Sequence, residues 1–167
     1  MIGDRGSRIA PMTRFYTIDT ANAAVREVDG ILRVLAEQRA ELVRLRDEVL
    51  ARGTGGGEGA PTAIGDRPER AGGPGGLEGA IDPPLVDDLR LTRLRMQGLI
   101  DQMAAGVARI DALGLTLRDI ENGLVDFPAL VSGRQIWLCF QRGETSVAFW
   151  HSLDSGFSSR RPLAELV

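Results

Sequence analysis

Residues 18–52 read IDTANAAVREVDGILRVLAEQRAELVRLRDEVLAR. Apolar side chains fall at Ile18, Ala21, Val25, Val28, Leu32, Leu35, Leu42 and Val49, in steps of three, four or a whole heptad. That spacing keeps them on one stripe of a helix. The stretch predicts a helix over 18–52, ~50 Å long at 1.5 Å per residue. Thr17 suits the N-cap, Asp19 favours the dipole in the first turn, and Gly53 suits the position just past the end. Asp29 with Arg33 and Glu48 with Arg52 are spaced for i,i+4 pairing. Arg39 and Arg46 take a positions of the heptad. Either their stems cover a seam open to water, or they set register and partner choice.

On the C-terminal side, residues 53–81 hold 11 of the 21 glycines and almost no large apolar residue. Such a segment cannot bury enough surface to offset its ordering entropy, so a disordered linker is expected. Its run Gly53-Thr54-Gly55-Gly56-Gly57 lacks both the preceding strand and the Gly-Lys-Ser/Thr of a phosphate loop. Helical spacing resumes at Leu85, Leu89, Met96, Leu99, Met103, Val107 and Ile110, predicting a second helix over 83–113. Asp82 and Pro83 suit its start and Gly114 its end. Two helices of matched length joined by a flexible tether fold back as an antiparallel hairpin. Gly98 and Gly106 offer places for close backbone approach.

From 115 to 162 the period changes. Leu115 and Leu117 alternate with polar residues, Glu121-Asn122-Gly123 reads as a tight turn, and 124–127 reads as a strand. Residues 135–140 and 146–151 are two further strands flanking a loop at Arg142–Thr145. Pairing about that loop's midpoint sets Cys139 opposite Ala148. Pro128 and Pro162 mark strand ends or edges. The expectation is an α+β fold: a long antiparallel helical hairpin followed by a small antiparallel sheet of three to four strands. Residues 1–14 read as a disordered tail, and 15–167 as a single domain.

Composition excludes several classes. The 167 residues carry a net charge of -3, which gives no global pull toward nucleic acid or an acidic membrane. No apolar run is long enough to span a bilayer, and the first 13 residues lack the core of a secretory signal. All 20 basic residues are arginine, so lysine chemistry is absent. The single Cys139 fits a reducing compartment, and a cytoplasmic location is expected.

Phe15-Tyr16-Thr17 with Ala21-Asn22, the string Gly123-Leu124-Val125-Asp126-Phe127-Pro128, and the set Gly143-Glu144, Trp150-His151, Gly156-Phe157 and Arg160 resemble a prokaryotic family known as domain of unknown function 2203. The resemblance spans roughly 15–52 and 83–162. It implies two long helices followed by strands, and no activity. The chain departs from the family pattern at Arg26, where proline is frequent, and at Phe140, where tryptophan is.

Candidate chemistry gathers in the C-terminal strands. His151 is the one histidine, the residue type suited to general acid–base work near neutral pH, with Asp126, Glu144 or Asp154 as partners. Against this stands a structural role in ordering the turn Asp154-Ser155-Gly156. No His/Cys spacing resembles a zinc ligand set, and no metal or cofactor is expected, although Asp126, Glu144 and Asp154 could share magnesium. Arg118, Arg134, Arg142, Arg160 and Arg161 face six acidic residues in the same zone, so nucleic acid is not the expected partner. The expected role is an interaction or scaffold module that self-associates or binds a protein through its helical hairpin. Ile31, Val43, Leu45, Leu91, Leu94 and Ile100 lie outside the narrow stripe and need cover. The alternative is a hydrolase or RNA-acting enzyme with a site at Asp126, Arg142, Glu144, His151 and Arg160.

Overall fold

The structure, a computed structural model, describes residues 14–54 and 83–166. The expected tail at 1–14 and linker at 53–81 lie outside the described residues, except for Arg14 and the helical residues Gly53 and Thr54. Asp82 is outside them too. The chain forms two compact units, one comprising residues up to Ala40 and from Asp101 onward, the other Glu41–Ile100.

Helix α1 runs Ile18–Thr54, two residues beyond the expected end. Thr17 and Thr20 cap its start reciprocally: Thr20 N donates to Thr17 Oγ1 at 3.2 Å, and Thr17 N to Thr20 Oγ1 at 2.8 Å. Helix α2 runs Pro83–Ala112. Gly114, at φ 74°, ends it in a Schellman motif. There Leu115 N reaches Ile110 O at 3.2 Å and Gly114 N reaches Asp111 O at 2.8 Å.

In the first unit the stripe is buried at Ala21, Val25, Val28, Leu32 and Leu35, while Ile18, at the first position of the helix, is exposed. Ile31, expected to lack cover, is buried beside them, because the sheet and α2 together take a wider face of α1 than a two-helix seam would. Of the two glycines, only Gly106 meets a close neighbour. A Cβ there would stand 2.7 Å from Leu35 Cδ2, whereas one at Gly98 would meet nothing within 4 Å. Arg39 reaches Glu121 at 2.9 Å, a largely exposed pair that adds little stability. Asp29 and Arg33 pair at 2.8 Å as their spacing predicts.

The sheet has five strands rather than three or four: β1 Thr116–Asp119, β2 Leu124–Val131, β3 Arg134–Gln141, β4 Phe149–Ser152 and β5 Arg161–Pro162. They form an antiparallel meander in chain order. Its inner face carries Val125, Phe127, Ala129, Ile136, Leu138, Phe140 and Trp150, which join the buried α1 side chains, Ile110 and Leu115 in one core.

Pro128 does not end its strand. It sits inside β2 opposite Trp137. The polar groups of Pro128 face away from β3, toward an edge that β1 no longer covers, so its missing N–H breaks no ladder bond. There its carbonyl accepts Tyr16 N at 2.7 Å. The strand then continues to Ser132-Gly133, a two-residue turn with φ of 50° and 77°.

Strand β4 starts at Phe149, three residues later than expected. The intervening segment is committed elsewhere: Gly143 N donates to Asp29 Oδ1 at 3.0 Å and Val147 N to Asn22 Oδ1 at 2.8 Å. Cys139 therefore pairs with Phe149, not Ala148.

In the second unit the remaining parts of α1 and α2 are joined by the ion pairs Arg95–Glu41 and Arg52–Asp88. Arg52 thus pairs across to α2. Leu45, expected to need cover, is buried there, while Leu91, Leu94 and Ile100 are exposed.

Candidate functional site

A sheet packed on one side leaves its other face to water, and alternate residues point there. Asp126 of β2, Cys139 of β3 and His151 of β4 occupy that outer face, yet their exposures are only 2%, 1% and 3%. Their meeting follows from the register. Asp126 pairs directly with Cys139, and His151 pairs with Trp137, which sets His151 diagonally across from Cys139. Under the expected pairing, His151 would stand opposite Ile136 and share the inner face with Leu138. A shift of one residue moves it to the side of Cys139.

Arg118 of β1 donates Nε to Asp126 Oδ2 at 2.7 Å, and its guanidinium lies over the Trp137 ring, 5.2 Å from the centroid. His151 Nε2 stands 3.1 Å from the same carboxylate oxygen, and Nδ1 stands 2.9 Å from the Ser152 carbonyl oxygen. A carbonyl and a carboxylate can only accept, so Nδ1 donates to Ser152 and a proton also lies between Nε2 and Asp126. The Ser152 carbonyl also accepts Ser155 N at 3.2 Å, so the ring is tied to the following turn. One ligand atom each from Asp126, Cys139 and His151 lie within 4.8 Å of one another.

Burial pushes the Cys139 thiol up to about 12, the Asp126 charge adds to this, and the Arg160 charge opposes it. At neutral pH the group is a protonated thiol, the reverse of an activated nucleophile. Beside it lies a second pair. Arg160 Nη1 donates to Glu144 Oε1 at 2.9 Å, while Glu144 Oε2 accepts Gln141 N at 2.8 Å. The Arg160 guanidinium also lies over the rings of Phe149 and Phe157, at 4.2 and 4.4 Å.

Of the five residues singled out in the sequence, Asp126 and His151 touch, and Glu144 and Arg160 form the neighbouring pair. Arg142 stands apart. Its Nη2 donates to Glu121 O at 3.1 Å at the β1–β2 turn. It packs so closely on Gly123 that a Cβ there would lie 2.4 Å from its own Cβ. Asp154 does not join Asp126 and Glu144; it lines a cavity of about 750 Å³ with Arg134, Ser152 and Arg161. Sequence reasoning set Cys139 apart because of the register, and named Arg118 only as one basic residue among five. The alternation of Leu115 and Leu117 with Thr116 and Arg118 is the signal that could have placed Arg118 on the outer face; counting back from the turn would not, because the β1–β2 register shifts between Leu117 and Asp119.

These features define an α+β protein with a helical hairpin, a core on one face of a meander sheet, and a buried polar centre on the other. The chain belongs to the family described as "Uncharacterized conserved protein (DUF2203)", whose model matches residues 14–163. No curated protein and no solved structure matches it. Among the described residues, no helix is long and apolar enough to cross a membrane.

Proposed function

We propose that the chain is a cytoplasmic interaction module that associates with a second copy of itself through the helical unit Glu41–Ile100. The observation that carries this reading is an imbalance in that unit. Among its described residues Leu45 is the one buried apolar side chain, while Leu91 and Leu94, neighbours on α2, are 65% and 61% exposed. Two helices with so small a seam bury little of their apolar surface, and a second pair covering that face gives a four-helix arrangement. The single cysteine, buried and unpaired, supports a reducing compartment. The rival reading, a hydrolase or RNA-acting enzyme on the outer sheet face, has less support. His151 has an oxygen partner at each ring nitrogen, and Cys139 is held as a thiol.

Light scattering across a dilution series tests the proposal. The wild-type chain is expected to show a mass that rises with concentration, and the Leu91→Glu/Leu94→Glu variant to remain a monomer. Each exposed substitution should change monomer stability by no more than about 0.5 kcal/mol. A wild-type chain that stays monomeric at every concentration overturns the reading.

A further inference from the structure

We infer that Asp126, Cys139 and His151 form a binding site for a zinc-class divalent transition-metal ion, with Nε2, Sγ and a carboxylate oxygen as ligands. The donors come from three adjacent strands, so their spacing is fixed by the sheet rather than by loops. Around a tetrahedral ion, ligands at ~2.0–2.3 Å stand roughly 3.3–3.8 Å apart. The His151–Asp126 edge is 3.1 Å, and all three atoms lie within 4.8 Å of one another, so small side-chain rotations close the cage.

The histidine supplies a second, independent observation. Metal-binding imidazoles usually donate their other ring N–H to a carbonyl or carboxylate, which fixes the tautomer and aims the free nitrogen at the metal. His151 has that arrangement: Nδ1 is spent on the Ser152 carbonyl, and Nε2 points at the Asp126 carboxylate. Nε2 and the carboxylate oxygen share a proton at 3.1 Å, with the sulfur beside them. A metal ion would take the place of that proton and bind both atoms.

The donor set selects the ion. Sulfur, imidazole nitrogen and a single carboxylate suit Zn²⁺ or Co²⁺, whereas Mg²⁺ and Ca²⁺ require oxygen shells. On binding, the sulfur–metal and Nε2–metal bonds form, and the thiol proton and the proton shared by Nε2 and Asp126 leave to solvent. Dication, thiolate and carboxylate then sum to no net charge, which lets the Arg118 guanidinium stay on Asp126 as an outer hydrogen-bond donor. The Arg118 side chain is 45% exposed, so its rotation gives an ion a route to the carboxylate. Three protein ligands leave a further position open, as in catalytic rather than structural zinc sites. This inference is independent of self-association.

The test uses the untagged full chain, stripped with chelator and then given Zn²⁺ or Co²⁺ alone. About one equivalent per chain is expected to survive desalting. Co²⁺ should give a thiolate-to-cobalt charge-transfer band in the near ultraviolet, and with one cysteine in the chain that band assigns the ligand without any variant. Cys139→Ser, nearly isosteric, should abolish the band, and Asp126→Asn should weaken binding by more than about tenfold. No retained ion, or retained Co²⁺ without the band, overturns the proposal and leaves the cluster as a proton-shared histidine–carboxylate pair.

Discussion

Phe127→Ala is expected to destabilise the chain by about 3–5 kcal/mol, the range for removing a fully buried aromatic ring. Phe127 is completely buried on the inner face of β2, opposite Leu138 of β3. Its ring meets Tyr16 edge to face, with centroids 5.1 Å apart. Tyr16 has little freedom to fill the gap. Its hydroxyl donates to Leu113 O at 2.7 Å, and its backbone N is held by Pro128 O at the same distance. The cavity therefore persists, and the melting midpoint should fall by roughly 6–20 °C. Leu130→Ala provides the contrast. That residue lies on the same strand but is exposed, and its loss should cost no more than about 0.5 kcal/mol. Urea unfolding of the two variants checks the alternation directly; equal costs would mean that β2 has no distinct inner face.

Asp126→Ala comes next in size, at about 3 kcal/mol in the presence of chelator. Removing one member of a buried charged set usually costs about 3–5 kcal/mol, because its partners stay buried without an acceptor. Here the lower end applies. Arg118 is nearly half exposed and can turn to water, whereas His151, at 3% exposure, cannot. Arg118→Ala, which leaves the histidine–carboxylate contact intact, should cost no more than about 1 kcal/mol. Chemical denaturation of both variants measures the difference. Equal losses would place the stabilising contact in Arg118 rather than in the buried pair.

The helices were legible because helical period is a local property. Eight apolar positions between Ile18 and Val49, a Thr at the cap and Gly114 at the far end are enough to outline them. The strands were legible in number and order only to a point. β5 spans two residues and carries no pattern of its own. Pro128 suggested a strand end or an edge, and the choice between them depends on how far the neighbouring strand extends, which is a tertiary fact. The turn that ends β2, Ser132-Gly133, lies beyond Pro128 and was not anticipated.

The site suffered most from register. Asn22 and Asp29 on α1 capture the backbone of the loop before β4, and this displaces the β3–β4 pairing by one residue. No local signal in residues 141–148 reports that capture. The same displacement decides whether His151 faces the core or stands with Cys139. Asp126 and His151 could be named as candidates from residue type, but their shared face could not be assigned until the loop's partners were known.

His151 is locked, with Nδ1 donating to the Ser152 carbonyl and Nε2 directed at Asp126. The most direct measurement is the long-range ¹⁵N–¹H spectrum of the imidazole, which is unambiguous because the chain contains one histidine. A single ring state is expected, with Nδ1 protonated and its proton protected from exchange with water. Two nitrogens averaged between tautomers, with a rapidly exchanging proton, would contradict it.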